Sequence, residues 1–176
     1  DPRRLLTPPH LIMINDQGTP DTTSDHSVRN SKDAFNCFLS FGYGMLRTAA
    51  TGALEHVGLD PYIGYLHGVR PGKPSLALDL MEELRALVVD RLVLTLFNRK
   101  QITHAHTITD PAGSVSLTDD GRKFFLSQWS EARERSWKHP ELGRDVPAAL
   151  LPLIQARLLA RHLRGDRPLY TPWVAG

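Results

Sequence analysis

The chain has 176 residues, of which 41% are hydrophobic and 23% are charged, and its formal net charge at pH 7 is +2. This composition is typical of one globular domain and excludes a disordered chain. The single cysteine, Cys37, excludes an internal disulfide and favours a reducing, cytoplasmic compartment. The longest apolar run, residues 86–97, is too short to span a bilayer, so we predict no membrane partner.

The predicted elements begin with residues 1–32, which combine the end of one element with a flexible, polar loop. Apolar residues at helical spacing then predict a first helix that stops at Gly58. A second helix, capped by Ser75, is apolar nearly all round from Leu76 to Asn98. A helix of this kind belongs in the centre of a bundle rather than on its surface.

The second half of the chain adds one short β-hairpin and two more helices. Alternating residues around a Pro-Ala-Gly turn predict the hairpin between positions 102 and 118. Thr118 or Asp119 caps a third helix that runs to Trp137, and a fourth helix ends at Gly165. We interpret the aromatic residues of the third helix as core: Phe124, Phe125 and Trp129. The predicted fold is therefore mainly α, a helical bundle with one hairpin over residues 33–176.

Three carboxylates, Asp79, Glu82 and Glu83, lie inside the predicted central helix. Residues three or four apart share a helix face, so Asp79 lies beside both glutamates. A buried, unpaired carboxylate is costly, and such a group is usually paired, protonated or bound to a metal. One interpretation is that the carboxylates face water or pair with an arginine of the same helix region: Arg85, Arg91 or Arg99. The other is a Mg²⁺ or Mn²⁺ site, in which an added imidazole would favour Mn²⁺.

His67 lies in the glycine- and proline-rich loop that leads into this acidic helix. A short loop can return the histidine to the first turns of the helix. Arg70 and Lys73 in the same loop are candidate phosphate contacts, with solvated loop charges as the alternative. The fourth helix carries a basic stripe that predicts DNA-backbone contacts or, alternatively, a solvated face. The stripe consists of Arg157, Arg161 and Arg164.

Four segments of the chain carry a resemblance to a known family. In order, they are LSFGYGML, GLDPYIGYLHGVRPGKPSLALDLMEELRALVVDRLVLTLFNRKQI, LTDDGRKFFL and VPAALLPLIQARLLARHLRGD. Together they closely resemble the CRISPR-associated integrase, the universal endonuclease of CRISPR adaptation, in the branch found with type I systems. The resemblance covers roughly residues 33–173 and keeps both the order and the spacing of the segments.

The resemblance implies a domain organisation and a metal site. The family has an N-terminal β domain and a C-terminal helical catalytic domain, and this chain resembles the helical domain only. The family's metal ligands are a glutamate, a histidine and a second carboxylate. His67 and Glu82 match the last two, and Asp79 acts as a supporting acid. The first glutamate belongs to a G-x-E-G stretch that the chain lacks, and we expect its position to fall before Asp1.

The resemblance also implies a reaction and its partners. The 3′-hydroxyl of a captured DNA fragment attacks a phosphodiester at the edge of a CRISPR repeat, in a transesterification that depends on Mg²⁺ or Mn²⁺. The implied partners are double-stranded DNA (prespacer and CRISPR repeat), a second copy of the protein in a homodimer, and a small CRISPR-associated adaptor protein. Two alternatives stay open: a catalytically incomplete helical module for dimerisation or DNA binding, and a transposon-encoded integrase that shares the fold.

Overall fold

The computed structural model describes residues 33–68 and 70–173, so our predictions for residues 1–32 lie outside the described residues. The described part is mainly helical, as predicted. In this part, no helix combines the length and the apolar character that crossing a bilayer requires. The regular elements are α1 (Ala34–His56), α2 (Ser75–Leu84), a π-helical segment (Arg85–Asp90), α3 (Arg91–Asn98), β1 (Thr107–Thr109), β2 (Val115–Leu117), α4 (Asp119–Glu134), β3 (Ser136–His139), β4 (Arg144–Pro147) and α5 (Leu151–Leu163).

Helix α1 is the long helix around which the others pack. It begins after Asp33, whose carboxylate accepts the backbone N–H of Asn36 at 2.8 Å in a standard N-cap. It contacts α2, the π-helical segment, β2 and α5. Gly42 permits one close approach, because a Cβ there would lie 2.6 Å from the Val89 Cγ1 of the π-helical segment. The chain leaves the helix through Gly58, which has a φ of +80°, and the predicted helix end is confirmed.

The central helix is also confirmed, with a correction at its start and an unexpected middle. The N-cap is Pro74, not Ser75, whose hydroxyl is buried and donates to the carbonyl of Gly68 at 3.0 Å. The chain then continues from α2 through the π-helical segment into α3 without leaving a helical path. The π-helical turns widen the helix directly after the acidic residues, and such turns are frequent at functional sites.

The described residues contain two small antiparallel hairpins, where the sequence predicted one. The predicted hairpin is present, with Thr107 opposite Leu117 in the β1–β2 pair. The second pairs β3 with β4 and places Trp137 opposite Val146. The prediction that α4 continues to Trp137 is therefore wrong. The backbone becomes extended at Arg135, with φ −63° and ψ 130°. The Trp137 ring then packs against Trp173, and the Arg91 guanidinium lies over it.

The core lies between α1, the central helix, α4 and α5. Phe38, Leu84 and Phe125 are fully buried in it, and Trp129 is nearly so. The Phe38 and Phe125 rings are tilted against each other with centroids 5.7 Å apart. The interpretation of Phe125 and Trp129 as core residues is thus confirmed. Phe124 packs against this cluster and stacks on the His106 ring, 4.6 Å away.

Candidate functional site

The loop that carries His67 is folded back onto the start of α2. The carbonyl of Pro61 accepts the backbone N–H of Leu76 at 2.8 Å. Gly64 lies so close to the helix that a Cβ there would be 2.6 Å from the Cβ of Ser75 and 2.8 Å from the carbonyl oxygen of His67. A residue with a side chain would therefore push the loop off the helix. The predicted return of the histidine to this helix is what the structure shows.

Asp79 fixes this loop through its carboxylate. The backbone N–H groups of Tyr65, Leu66 and His67 donate to it at 2.6, 3.0 and 3.0 Å. His67 Nδ1 lies 2.5 Å from Asp79 Oδ1, and the side chain of Asp79 is only 9% exposed. A carboxylate at Nδ1 favours the tautomer with the proton on Nδ1, which leaves the lone pair on Nε2. Asp79 thereby orients the imidazole, as a supporting acid of a metal ligand does.

Glu82 follows Asp79 by three residues and has a different partner. Its carboxylate accepts a hydrogen bond from Arg85 at 2.6 Å, and its side chain is 20% exposed. The Arg85 guanidinium also lies 4.5 Å from the centroid of the Tyr43 ring. Tyr43 in turn donates to Asp90 at 2.5 Å, and burial together with that carboxylate raises the pKa of Tyr43 to about 12. The arginine pairing left open by the sequence is therefore present for Glu82.

Glu83 lies one turn after Asp79, and its partners are groups in the interior of the protein. Its carboxylate accepts hydrogen bonds from the Tyr170 hydroxyl, from Gln155 Nε2 at 2.5 Å and from the Trp173 backbone N–H at 2.7 Å. Burial raises the pKa of this carboxyl despite the three donors. The three acids of α2 thus have three separate partners: a loop, an arginine and the C-terminal segment.

The donor chemistry at His67 and Glu82 fits a hard divalent cation. An oriented imidazole nitrogen and a partly exposed carboxylate suit Mn²⁺ or Mg²⁺. Among residues 33–68 and 70–173, however, no group of three His, Cys, Asp or Glu side chains lies close enough to hold a metal. Among the described residues, His67 and Glu82 therefore stay predicted ligands, and the Asp79 carboxylate is occupied by the loop.

The predicted phosphate contacts fall in two places. Arg70 and Lys73 lie in the His67 loop, where the Lys73 N–H donates to the Arg70 carbonyl at 3.1 Å. Arg157 and Arg161 are exposed on α5, and Arg164 pairs with Asp166 at 3.1 Å. Helical residues advance by about 100° each, so this stripe lies on the side of α5 opposite to Gln155, which faces Glu83. The loop cations therefore lie in the same loop as His67, whereas the stripe lies on the side of α5 that is turned away from Glu83.

Of the residues that shape the site, Arg85 was named from the sequence, whereas Tyr43 and Tyr170 were not. Arg85 was visible as a partner of Glu82 because the two are three residues apart. Tyr43 contacts Asp90 of the π-helical segment from 47 residues away along the chain, and Tyr170 contacts Glu83 of α2 from 87 residues away. Neither residue spacing nor a sequence motif predicts contacts between residues so far apart along the chain.

Comparisons with known proteins agree with this geometry. The sequence profile of the family described as "CRISPR associated protein Cas1" matches residues 22–131, more than half of the chain. The CRISPR-associated endonuclease Cas1 2 of Rhodospirillum rubrum is 50% identical over 147 residues, which cover 84% of this chain and 43% of that protein.

Two solved structures share the fold. A Cas1 protein from Thermotoga maritima superposes with a TM-score of 0.68 and 33% identity, over 79% of this chain and 43% of that one. A casposase bound to integration product gives a TM-score of 0.75 and 25% identity, over 84% of this chain and 43% of that one. The chain thus spans less than half of the length of each of these proteins.

Proposed function

The chain belongs to the Cas1 family of CRISPR-associated proteins, and from this premise we propose that the full-length protein is a divalent-metal-dependent DNA endonuclease and integrase of CRISPR adaptation. The observation that carries the proposal is the clamp of Asp79 on the His67 loop, with Glu82 one turn later on the same helix. The casposase bound to integration product supports integration as the reaction class.

The proposed reaction is a transesterification of DNA. The 3′-hydroxyl oxygen of a captured fragment forms a new bond to phosphorus, and the bond from phosphorus to the 3′-oxygen of the repeat strand breaks. A bound Mg²⁺ or Mn²⁺ supplies neutralisation of the phosphate charge and alignment of the attacking oxygen. His67 and Glu82 would hold this ion. Because one phosphodiester replaces another, the reverse reaction on branched DNA should also proceed.

The remaining residues of the site position the two proposed ligands or neutralise the charge of DNA phosphates. Asp79 fixes the tautomer and direction of the His67 imidazole through Nδ1. Arg85 donates a hydrogen bond to the Glu82 carboxylate and holds it in place. Arg70 and Lys73, in the same loop as His67, are the proposed contacts for DNA phosphates beside the site. The stripe Arg157, Arg161 and Arg164 would hold DNA on a second surface.

The proposed partners follow from the family rather than from contacts in this chain. They are double-stranded DNA (prespacer and CRISPR repeat), a second copy of the protein in a homodimer, and the small CRISPR-associated adaptor protein. The proposed place of action is the cytoplasm, where a lone cysteine such as Cys37 stays reduced.

A second candidate function has one observation in its favour. Among the described residues, no three ligand side chains cluster as a metal site requires. The chain could therefore serve as a catalytically incomplete helical module that dimerises or binds DNA. The two functions differ in a single measurement, because only the first requires His67 and Glu82 for strand transfer.

Strand transfer by the full-length protein separates the two. The assay combines a duplex with free 3′-hydroxyls, a repeat-bearing plasmid, the adaptor protein and Mn²⁺. We expect His67→Ala and Glu82→Ala each to lower the rate at least about 100-fold, and EDTA to abolish it. Glu55→Ala and His56→Ala remove the same side chains from the exposed end of α1 and should retain activity.

The outcomes are distinct. Full activity of the His67 and Glu82 variants would show that the ligand assignment is wrong. An inactive wild-type protein that still dimerises or binds DNA would favour the helical module.

A further inference from the structure

Glu83 is a largely buried acid at the junction of four parts of the fold. Its own helix is α2, and its hydrogen-bond donors come from α5 and the C-terminal segment of residues 166–173. The fourth part is the β3–β4 hairpin, since the buried Gln155 contacts His139 Nε2 through its Oε1 at 3.1 Å. No function assigned above uses this network.

The network closes on itself around the carboxylate. Gln155 Nε2 lies 3.1 Å from the Tyr170 hydroxyl, so the two donors of Glu83 also contact each other. Trp173, whose N–H is the third donor, is 3% exposed and packs edge-on against the Trp137 ring. The Glu83 carboxylate, the Gln155 amide and the Tyr170 hydroxyl therefore depend on one another for their partners, and the C-terminal segment is held against α2.

Burial of a carboxylate at a contact between two helices has a desolvation cost, which an apolar contact does not have. A carboxylate in the protein interior is tolerated only where hydrogen bonds satisfy it, and Glu83 has three donors, from Gln155, Tyr170 and Trp173. What a fully satisfied polar network adds is a single allowed arrangement, because a rotation or a shift of the helix leaves several groups without partners. In some proteins a buried polar group of this kind fixes the register of packed helices.

Register matters at this turn of α2 for two reasons. Glu82 is the next residue toward the N-terminus, so the rotation of the turn that fixes Glu83 inward also fixes Glu82 outward. The regular α-helical hydrogen bonding ends at Leu84, where the π-helical segment starts. Contacts within the helix alone therefore constrain this turn less than they would in an uninterrupted α-helix.

We propose that Glu83, Gln155 and Tyr170 are positioning residues, through which α5 and the C-terminal segment set the rotation of residues 81–85 and so hold Glu82 on the same side of α2 as Asp79 and His67. The role of Glu82 as a metal ligand rests on the function proposed above. The effect of this network on the rotation of residues 81–85 does not rest on the proposed function. Hydrogen exchange of the backbone amides measures it directly.

The test uses the full-length protein and the variant Tyr170→Phe, which removes one hydroxyl and keeps the ring. We expect amide exchange at residues 82–87 to become about five-fold faster, because one of the three bonds that hold the turn is lost. In strand transfer we expect kcat to fall about tenfold, with the KM for DNA changed less than about twofold, since the acid is misplaced but DNA contacts remain. Glu83→Gln keeps one acceptor oxygen and should fall between wild type and Tyr170→Phe.

A control of equal stability loss separates positioning from folding. Val115→Ala removes buried apolar contacts on β2, away from α2. At the same thermal midpoint as Tyr170→Phe, it should leave kcat and the exchange of residues 82–87 unchanged. An equal fall in kcat for Val115→Ala would show that the network acts only through the overall stability of the fold, and this would overturn the proposal.

Unchanged exchange at residues 82–87 in Tyr170→Phe would also overturn it, whatever the activity. If Tyr170→Phe exchanges faster but the wild-type protein shows no strand transfer, the positioning role is supported and the proposed function is rejected. The two proposals therefore fail separately.

Discussion

Asp79 and Glu83 lie one turn apart on the same helix, and each accepts hydrogen bonds from a segment distant in sequence, yet they organise different regions. The donors of Asp79 belong to an exposed loop, in which Tyr65 and Leu66 are 56% and 55% exposed. The donors of Glu83 are enclosed, with Gln155 at 0% and Trp173 at 3%. A carboxylate that accepts hydrogen bonds from an exposed loop organises a site at the surface. A carboxylate that accepts them from interior groups fixes the position of its helix.

The largest effect should come from removing the loop clamp. Asp79→Ala leaves three backbone N–H groups and the His67 imidazole without their acceptor. We expect the free energy of unfolding to fall by about 3 kcal/mol, measured by urea denaturation. Asp145→Ala, at an exposed position of β4, should change it by less than about 0.5 kcal/mol. A loss below about 1 kcal/mol for Asp79→Ala would mean that the loop is held mainly by its other contacts.

The interior acid should reveal itself through pH. Because burial raises the pKa of Glu83 above its ordinary value of 4.5, the folded state binds this proton more tightly than the unfolded state does. Its contribution to stability is therefore greatest below pH 4.5 and declines as the pH rises through the folded-state pKa. Glu83→Gln cannot titrate there. Urea denaturation in EDTA at a series of pH values should show wild type losing stability relative to Glu83→Gln as the pH is raised from 4.5.

An exposed glutamate provides the reference for this pH series. Glu131→Gln changes the same group on a side chain that is 66% exposed, and its stability should run parallel to that of wild type. A wild-type protein that gains on Glu83→Gln as the pH rises would contradict the raised pKa and would indicate that the three donors outweigh burial.

The comparison also shows how far the sequence reaches. Local signals predicted α1 from Asp33 to Gly58, the central helix, the β1–β2 hairpin and the return of His67 to α2, because spacing, caps and turns act within a few residues. The β3–β4 hairpin was missed, since its four-residue strands are too short to show a clear alternation, and its tryptophan packs against Trp173. The destination of Glu83 was missed as well. Whether an acid of a helix meets a loop, an arginine or an interior tyrosine depends on tertiary packing.

Between the two clamped acids lies Glu82, and the smallest effect should come from its partner. Arg85 is 35% exposed, and its pair with Glu82 is screened by solvent, so Arg85→Ala should cost less than about 1 kcal/mol even with the loss of its contact to Tyr43. Urea denaturation at low and high salt should show this loss shrinking with salt, as for the surface pair of Arg122 and Asp119 in Arg122→Ala. The weakness of the pair matters for the proposed function. A carboxylate that binds a cation must first lose its existing partner. Glu82 would lose only its weak pair with Arg85, whereas Asp79 and Glu83 would each release a segment of the chain. A loss above about 2 kcal/mol would place Glu82 with the clamped acids and remove this reason for regarding it as the ligand.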